Sequence, residues 1–272
     1  MSSEKDYHTR RFSITRKILS DYYHVAANKH RIQGLVEMDV TKAEERIAEL
    51  KEKENYHVSH SGWIATCIAK AVSENKRFNS FRKGRNEIIV FNNVDISMMI
   101  EIKTKEGKRV PFNYVVRNAE EKSVKEITDE IRAIQKKKIE ETEQLTRDSS
   151  SFTSLYMLVP KFIRRFVIKK LLSNPFYVKK TIGTVGMTSL GEYVKELSGY
   201  AIAFSDKTLN VAIGGMKEYA ILEEGKLKNK KVLYLTFKVD HEIVDGAPVA
   251  RFITRVAELM KNAYGLDDIT KI

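Results

Sequence analysis

A chain of 272 residues, 42% hydrophobic and 31% charged, can bury a sizeable core in one large domain or two small ones. A single cysteine, Cys67, excludes an intramolecular disulfide and fits a reducing compartment, and no paired Cys/His spacing offers a zinc site. The net charge of +12 would suit nucleic acid, an anionic membrane or an anionic cofactor. The basic residues are spread along the chain, with short clusters at 136–138 and 228–231 and no nucleic-acid motif beside them. A solvated basic surface is therefore the reading, with neither nucleic acid nor a membrane expected as partner.

In chain order, residues 1–12 read as a flexible polar arm without an apolar signal region, which makes a cytoplasmic protein the expectation. Residues 13–27 read as a helix and 31–40 as a strand. Thr41-Lys42-Ala43-Glu44 has capping-box spacing and opens a helix to about 54. Residues 59–75 form a second amphipathic helix, with Cys67 on its apolar side. Strands follow at 87–91 and 94–103, where Val94, Ile96, Met98, Ile100 and Ile102 share one face. The turn Lys105-Glu106-Gly107-Lys108 sends 109–116 back antiparallel. Ser123-Val124-Lys125-Glu126 is another capping box, before a charged helix to about 144.

Residues 146–153, with three consecutive serines, are the best hinge candidate. The basic amphipathic segment 154–172 comes next, interrupted by Pro160 and several Lys and Arg, so it is no membrane span. Its Leu155, Val159, Phe162, Ile163 and Phe166 are expected to pack on the core. Strands at 182–188, 199–205, 209–221 and 231–239 complete a mixed sheet. Asp206-Lys207-Thr208 reads as an ordinary β-turn. A last helix over 247–263 stops at Gly265. Strands with interspersed helices imply an α/β class, an α+β sandwich around one mixed sheet.

The most informative stretch lies between the last strand and the last helix: Val239-Asp240-His241-Glu242-Ile243-Val244-Asp245-Gly246-Ala247. A strand-to-helix junction holds a side chain while exposing its tip, and histidine is the residue best suited to exchange a proton near neutral pH.

This His-x-x-x-Asp-Gly motif resembles that of the dihydrolipoyl acyltransferase catalytic domains of 2-oxoacid dehydrogenase complexes and the related chloramphenicol acetyltransferases. Further stretches are similar to the family in the same order: Thr15-Arg16-Lys17-Ile18, Asn92-Asn93-Val94-Asp95-Ile96-Ser97, Val115-Val116-Arg117-Asn118-Ala119, and the loop Gly183-Thr184-Val185-Gly186-Met187-Thr188-Ser189-Leu190-Gly191. The resemblance runs from about 11 to 260 and implies a chloramphenicol-acetyltransferase-like fold, with 13–272 a single acyltransferase catalytic domain. It implies coenzyme A or acyl-CoA as substrate, a thiol such as dihydrolipoamide as acceptor, with a lipoyl-bearing protein in trans left open, and a homotrimer with its active site between subunits. By resemblance His241 is the general base and Thr188 the hydroxyl that stabilises the oxyanion, with Ser189 in reserve. Asp245 is a support tied to Arg16, or a helix N-cap, and Gly246 allows a tight turn.

Two departures stand out. Glu242 replaces an arginine usual after the histidine, which could raise the histidine pKa or alter the acyl pocket. Segment 150–180 is longer and more basic than the family's. An acyltransferase acting on an amine or hydroxyl, or a non-catalytic trimeric scaffold binding CoA, are the competing expectations.

Overall fold

The structure, a computed structural model, describes residues 7–27, 29–103, 107, 109–136, 156, 158–190 and 198–271. The expected hinge at 146–153 lies outside these residues, as do Leu155, Gly191, residues 1–6 of the expected arm, and most of the 105–108 turn.

Helix α1 (Ile14–Ala26) starts where Ser13 accepts a hydrogen bond from the Arg16 backbone N–H. Strand β1 (Arg31–Asp39) leads into α2 (Thr41–Glu54) and α3 (His60–Glu74). The capping box expected at Thr41 does not form. Thr41 lies inside the helix, its hydroxyl donating to Asp39 at 2.7 Å and accepting from the Lys231 N–H at 3.0 Å, and Glu44 forms an ion pair with His60 at 3.0 Å instead. The box at Ser123 does form: Glu126 accepts from the Ser123 N–H at 2.7 Å, and its own N–H donates to Ser123 Oγ at 3.2 Å.

A small hairpin, β2 (Ser80–Lys83) with β3 (Glu87–Val90), precedes β4 (Ile96–Lys103), β5 (Arg109–Val116) and α4 (Val124–Lys136). Helices α5 (Lys161–Leu172) and α6 (Pro175–Ile182) lead to β6 (Val185–Ser189), the long strands β7 (Leu209–Glu223) and β8 (Lys226–Asp240), and α7 (Gly246–Lys261). The main sheet is mixed, in order β1-β8-β7-β6-β4-β5, with β6 parallel to both its neighbours and the other pairs antiparallel. None of the described helices is long and apolar enough to cross a membrane.

Alternation along the strands divides the sheet's two faces. Ile96, Met98, Ile100 and Ile102, with Val185, Leu209, Val211, Leu235, Phe237 and Val239, are buried beneath α3, α4 and α7. Helix α3 is buried nearly all round, Trp63 donating to the Tyr264 carbonyl at 3.1 Å. Cys67 sits in this core, and burial pushes its thiol well up, as expected of a packing residue. The other face carries Ser97, Asn113, Gly186, Thr188, Asn210 and Lys238, and it is where the fold leaves room for chemistry.

Three expectations are corrected here. Residues 199–205 form no strand. They do alternate, with Ala201 and Ser205 buried and Tyr200, Ile202 and Phe204 exposed, but Leu209–Ile213 of β7 are already paired on both sides, by β6 and β8, and just past Ile213 the strand is bulged. The segment is held instead by single bonds, from Gly215 N–H to Gly199 O at 2.9 Å and from Lys238 Nζ to Ala203 O at 3.0 Å. A side chain at Gly214, in the β7 bulge, would lie 2.2 Å from that same Gly199 carbonyl. Asp206-Lys207-Thr208 is a buried bend rather than a turn: Lys207 Nζ lies 2.9 Å from Asp206, which also accepts from Tyr22. And α5 does not pack on the core, for none of its residues is buried. The hairpin strand β2 and helix α6 were not foreseen.

Three of the similar stretches meet around a buried ion-pair hub. Asp95, just before β4, is 3% exposed. Its Oδ2 pairs with Arg117 at 2.9 Å and Lys179 at 3.0 Å, and its Oδ1 accepts from the Asn118 N–H at 3.1 Å. Its carbonyl accepts from the N–H groups of Thr184 and Val185. Gly183 makes that approach possible: it has φ 73 and ψ −175, and an added Cβ would stand 2.6 Å from the Asp95 carbonyl. Gly183→Ala should therefore cost about 2–3 kcal/mol, read as a lower urea midpoint, and an unchanged midpoint would show that this junction gives way freely.

Candidate active site

β8 ends at Asp240, and the next four residues turn tightly into α7. Asp240 organises that turn. Its carbonyl accepts from the N–H groups of Ile243 and Val244, both at 3.1 Å, its Oδ1 accepts from the Glu242 N–H at 3.2 Å, and its Oδ2 pairs with Lys29 at 2.9 Å. His241 is pinned by its N–H to the His30 carbonyl at 2.8 Å, while its side chain stays 44% exposed. Its Nδ1 lies 3.8 Å from Asp245 Oδ1, too far for a hydrogen bond.

Asp245 occupies the N-cap position of α7 without a side-chain capping bond, and its side chain is 86% exposed. Among the described residues no ion pair joins it to Arg16. An ion pair that does join the loop around His241 to the N-terminal region is Lys29–Asp240, which sequence reasoning missed because nothing local marks a contact between residues so far apart. Gly246 has ample space for a Cβ and is absent from the positive-φ residues, so this backbone does not demand a glycine for a turn. Glu242 is engaged by His30 Nδ1 at 2.9 Å and Arg82 Nη1 at 2.8 Å, and these two hold its carboxyl below the usual range. Its charge is thus matched by neighbours rather than left facing the histidine.

Thr188 and Ser189 are adjacent in β6 and therefore face opposite sides. Thr188 opens into a cleft of about 550 Å³ between α1 and the polar face of the sheet, which Ser97, Asn113 and Lys238 also line. Burial, and then Arg31, hold the Lys238 ammonium below its ordinary value. Ser189 lines a separate pocket of about 180 Å³ on the helical side, beside the Glu44–His60 pair. Through the sheet register Thr188 faces Ala212, which faces Thr236, five residues before His241. Five residues of strand at ~3.3 Å and two strand spacings of ~4.8 Å set His241 and Thr188 roughly 15–20 Å apart within one chain. Among the described residues no group of three His, Cys, Asp or Glu is placed to hold a metal ion.

The sequence model described as 2-oxoacid dehydrogenases acyltransferase (catalytic domain) matches residues 4–151 and 181–266. The chain belongs to this family. Among curated acyltransferase relatives, the dihydrolipoyllysine-residue acetyltransferase component of the pyruvate dehydrogenase complex of Mycoplasma pneumoniae is 26% identical over 216 residues, covering 79% of this chain and 44% of the relative. The lipoamide acyltransferase component of the branched-chain alpha-keto acid dehydrogenase complex of Bacillus subtilis is 20% identical over 222 residues, covering 82% and 43%. The chain thus spans less than half the length of these acyltransferase components. Among solved structures of the family's fold, a probable dihydrolipoamide acetyltransferase from Listeria monocytogenes superposes with TM-score 0.68 at 17% identity, covering 95% of this chain and 96% of that one. The dihydrolipoamide acetyltransferase of Azotobacter vinelandii gives TM-score 0.67 at 16% identity, covering 96% and 93%. It was solved in an investigation of the roles of a serine, a histidine and an asparagine in catalysis, the last two being four residues apart. The acyltransferase family match resumes only at 181, leaving 152–180 outside it, as the longer and more basic segment suggested.

Proposed function

We propose that this chain is a CoA-dependent acyltransferase that moves an acyl group between coenzyme A and a thiol such as dihydrolipoamide, the lipoyl group being carried by another protein. The observation that carries the proposal is family membership on both sides of 152–180, joined to a histidine held at a strand-to-helix junction with its ring exposed. The four-residue His241–Asp245 spacing equals that of the histidine and asparagine investigated in the Azotobacter enzyme.

In this reading the Nε2 of neutral His241 takes the proton of the incoming thiol, and the thiolate attacks the thioester carbon. The Thr188 hydroxyl donates to the developing oxyanion. Collapse expels the other thiolate, which recovers the proton from the imidazolium. Asp245, 3.8 Å from Nδ1, supports the charged ring electrostatically, and Gly246 begins the helix behind it. The wide separation of His241 and Thr188 within one chain supports a site in which the base of one subunit works with the hydroxyl of another. A homotrimer with its sites between subunits meets that need. The cleft at Thr188 has a mostly apolar lining, with Leu19, Tyr23, Met99, Ile182 and Phe204 around a few polar groups such as Ser97, Asn113 and Lys238, which suits a pantetheine-like arm.

Ser189 faces the other pocket, which favours Thr188 over Ser189 as the oxyanion donor. Thr188→Ala should lower kcat for acetyl transfer from acetyl-CoA to dihydrolipoamide by about 100-fold, with Ser189→Ala near wild type. Equal rates for Thr188→Ala and wild type would refute the assignment.

A further inference from the structure

The segment left outside the family match has an unusual surface. From 149 to 191 the sequence holds seven Lys or Arg and no Asp or Glu. Helix α5 rests on α1 along one side only. There Arg164 and Arg165 reach in to the carboxylate of Asp21 at 2.9 and 3.0 Å, and Tyr156 donates to it at 3.0 Å. Burial by itself would raise Asp21, but the hydrogen bonds from Arg165, Arg164 and Tyr156 outweigh it and hold the carboxyl below the ordinary range. Asp21 is the one acidic residue of α1 and α5 together, and it is buried.

The opposite side of α5 carries Phe162, 73% exposed, and Phe166, 66% exposed, together with Ile163 and Val167. Lys169 and Lys170 are interleaved with them on the same face, and the neighbouring Leu158 is 82% exposed. Contiguous exposed apolar residues on a helix mark a binding surface rather than chance exposure. The interleaved lysines decide what binds there. An apolar protein groove would have to bury unpaired ammonium groups, and a second copy of the same face would bring like charges together. A lipid surface bearing anionic headgroups meets both requirements, with phosphates at the level of the lysines and acyl chains beneath for the aromatic rings.

We propose that α5 docks the protein flat on an anionic membrane surface, with Phe162 and Phe166 entering the headgroup–acyl boundary and Lys169 and Lys170 among the phosphates. The helix lies in the plane of the interface, so the attachment is reversible and weakens with salt.

The test is co-sedimentation of the full chain with phosphatidylcholine vesicles, with and without phosphatidylserine. Wild type should pellet with the phosphatidylserine vesicles and stay in solution with phosphatidylcholine alone, and added salt should release it. Two double variants, Phe162→Ser with Phe166→Ser and Lys169→Glu with Lys170→Glu, should each lower partitioning by about tenfold or more. Their circular dichroism and elution volume should match wild type, because the altered side chains lie outside the core. No pelleting of wild type, pelleting that ignores phosphatidylserine, or variants that pellet like wild type would each overturn the proposal. Loss of solution mass in the Phe variants without vesicle binding would assign the face to a second copy of the chain and overturn it too.

Discussion

His241→Ala should lose about 1000-fold in acyl transfer while its fold and assembly match wild type. The size follows from removing the general base, which typically contributes ~10²–10⁴-fold. The selectivity follows from the structure. The imidazole stands beyond the end of β8, 44% exposed, its nearest charged partner 3.8 Å away, and the residue is anchored through its backbone N–H, which alanine keeps. Surface truncations of this kind change stability by less than about 0.5 kcal/mol. Labelled acetyl transfer from acetyl-CoA to dihydrolipoamide reads the rate, and thermal unfolding reads the fold. A second arm tests the two-chain site: His241→Ala and Thr188→Ala chains, each nearly inactive, are unfolded and refolded together. A mixed assembly contains contacts at which an intact His241 meets an intact Thr188, so activity should return on mixing. If mixing restores nothing, base and hydroxyl do not come from different chains. If His241→Ala retains full rate, the acyltransferase chemistry proposed here is wrong at its centre.

Asp95→Ala should be the most destabilising single change outside the apolar core, at about 3 kcal/mol or roughly 10 °C in Tm. Its carboxylate pairs with Arg117 and Lys179 and accepts the Asn118 N–H from a nearly inaccessible position. Removing it leaves two cations facing each other across the space it filled. Their partial exposure to water keeps the cost at the lower end for a broken buried pair. Arg117 also donates to the carbonyls of Lys179 and Lys180, so the loss should loosen the end of α6 and the start of β6, which carries Thr188. Asp95→Asn keeps an acceptor for Asn118 and should fall between alanine and wild type. Urea midpoints for the three proteins decide it, and alanine unfolding at the wild-type midpoint would leave the hub without a stabilising role.

Much of the fold was legible because its signals are local. Period-two burial in 96–103, the Ser123–Glu126 box and the Pro248-containing start of α7 each declare themselves within a few residues. The errors came where a local pattern met a tertiary constraint. Residues 199–205 have the alternation of a strand, but Leu209–Ile213 of β7 are paired on both sides and the segment meets β7 only at its bulge. Thr41 has the spacing of a cap, but Asp39 and Lys231 claim its hydroxyl. Segment 161–172 has the periodicity of a core helix, yet the side of it that touches α1 is the one bearing Arg164 and Arg165. For the candidate site, the motif around His241 and the loop around Thr188 could be read directly. Their distance apart could not, because it depends on the register of three strands. Neither could the Lys29–Asp240 tether, which spans most of the sequence.

The adjacent hydroxyls of β6 place a constraint on how this protein can vary. Because neighbouring strand residues face opposite sides, deleting one residue between Gly183 and Thr188 would bring Ser189 to the cleft and inserting one would bring Met187 there, and either change would turn Thr188 toward the helices. A serine and a threonine can trade places at position 188 for the cost of a methyl group. A change in length cannot be absorbed in that way, since the count from Gly183, fixed against Asp95, decides which side chain the cleft receives.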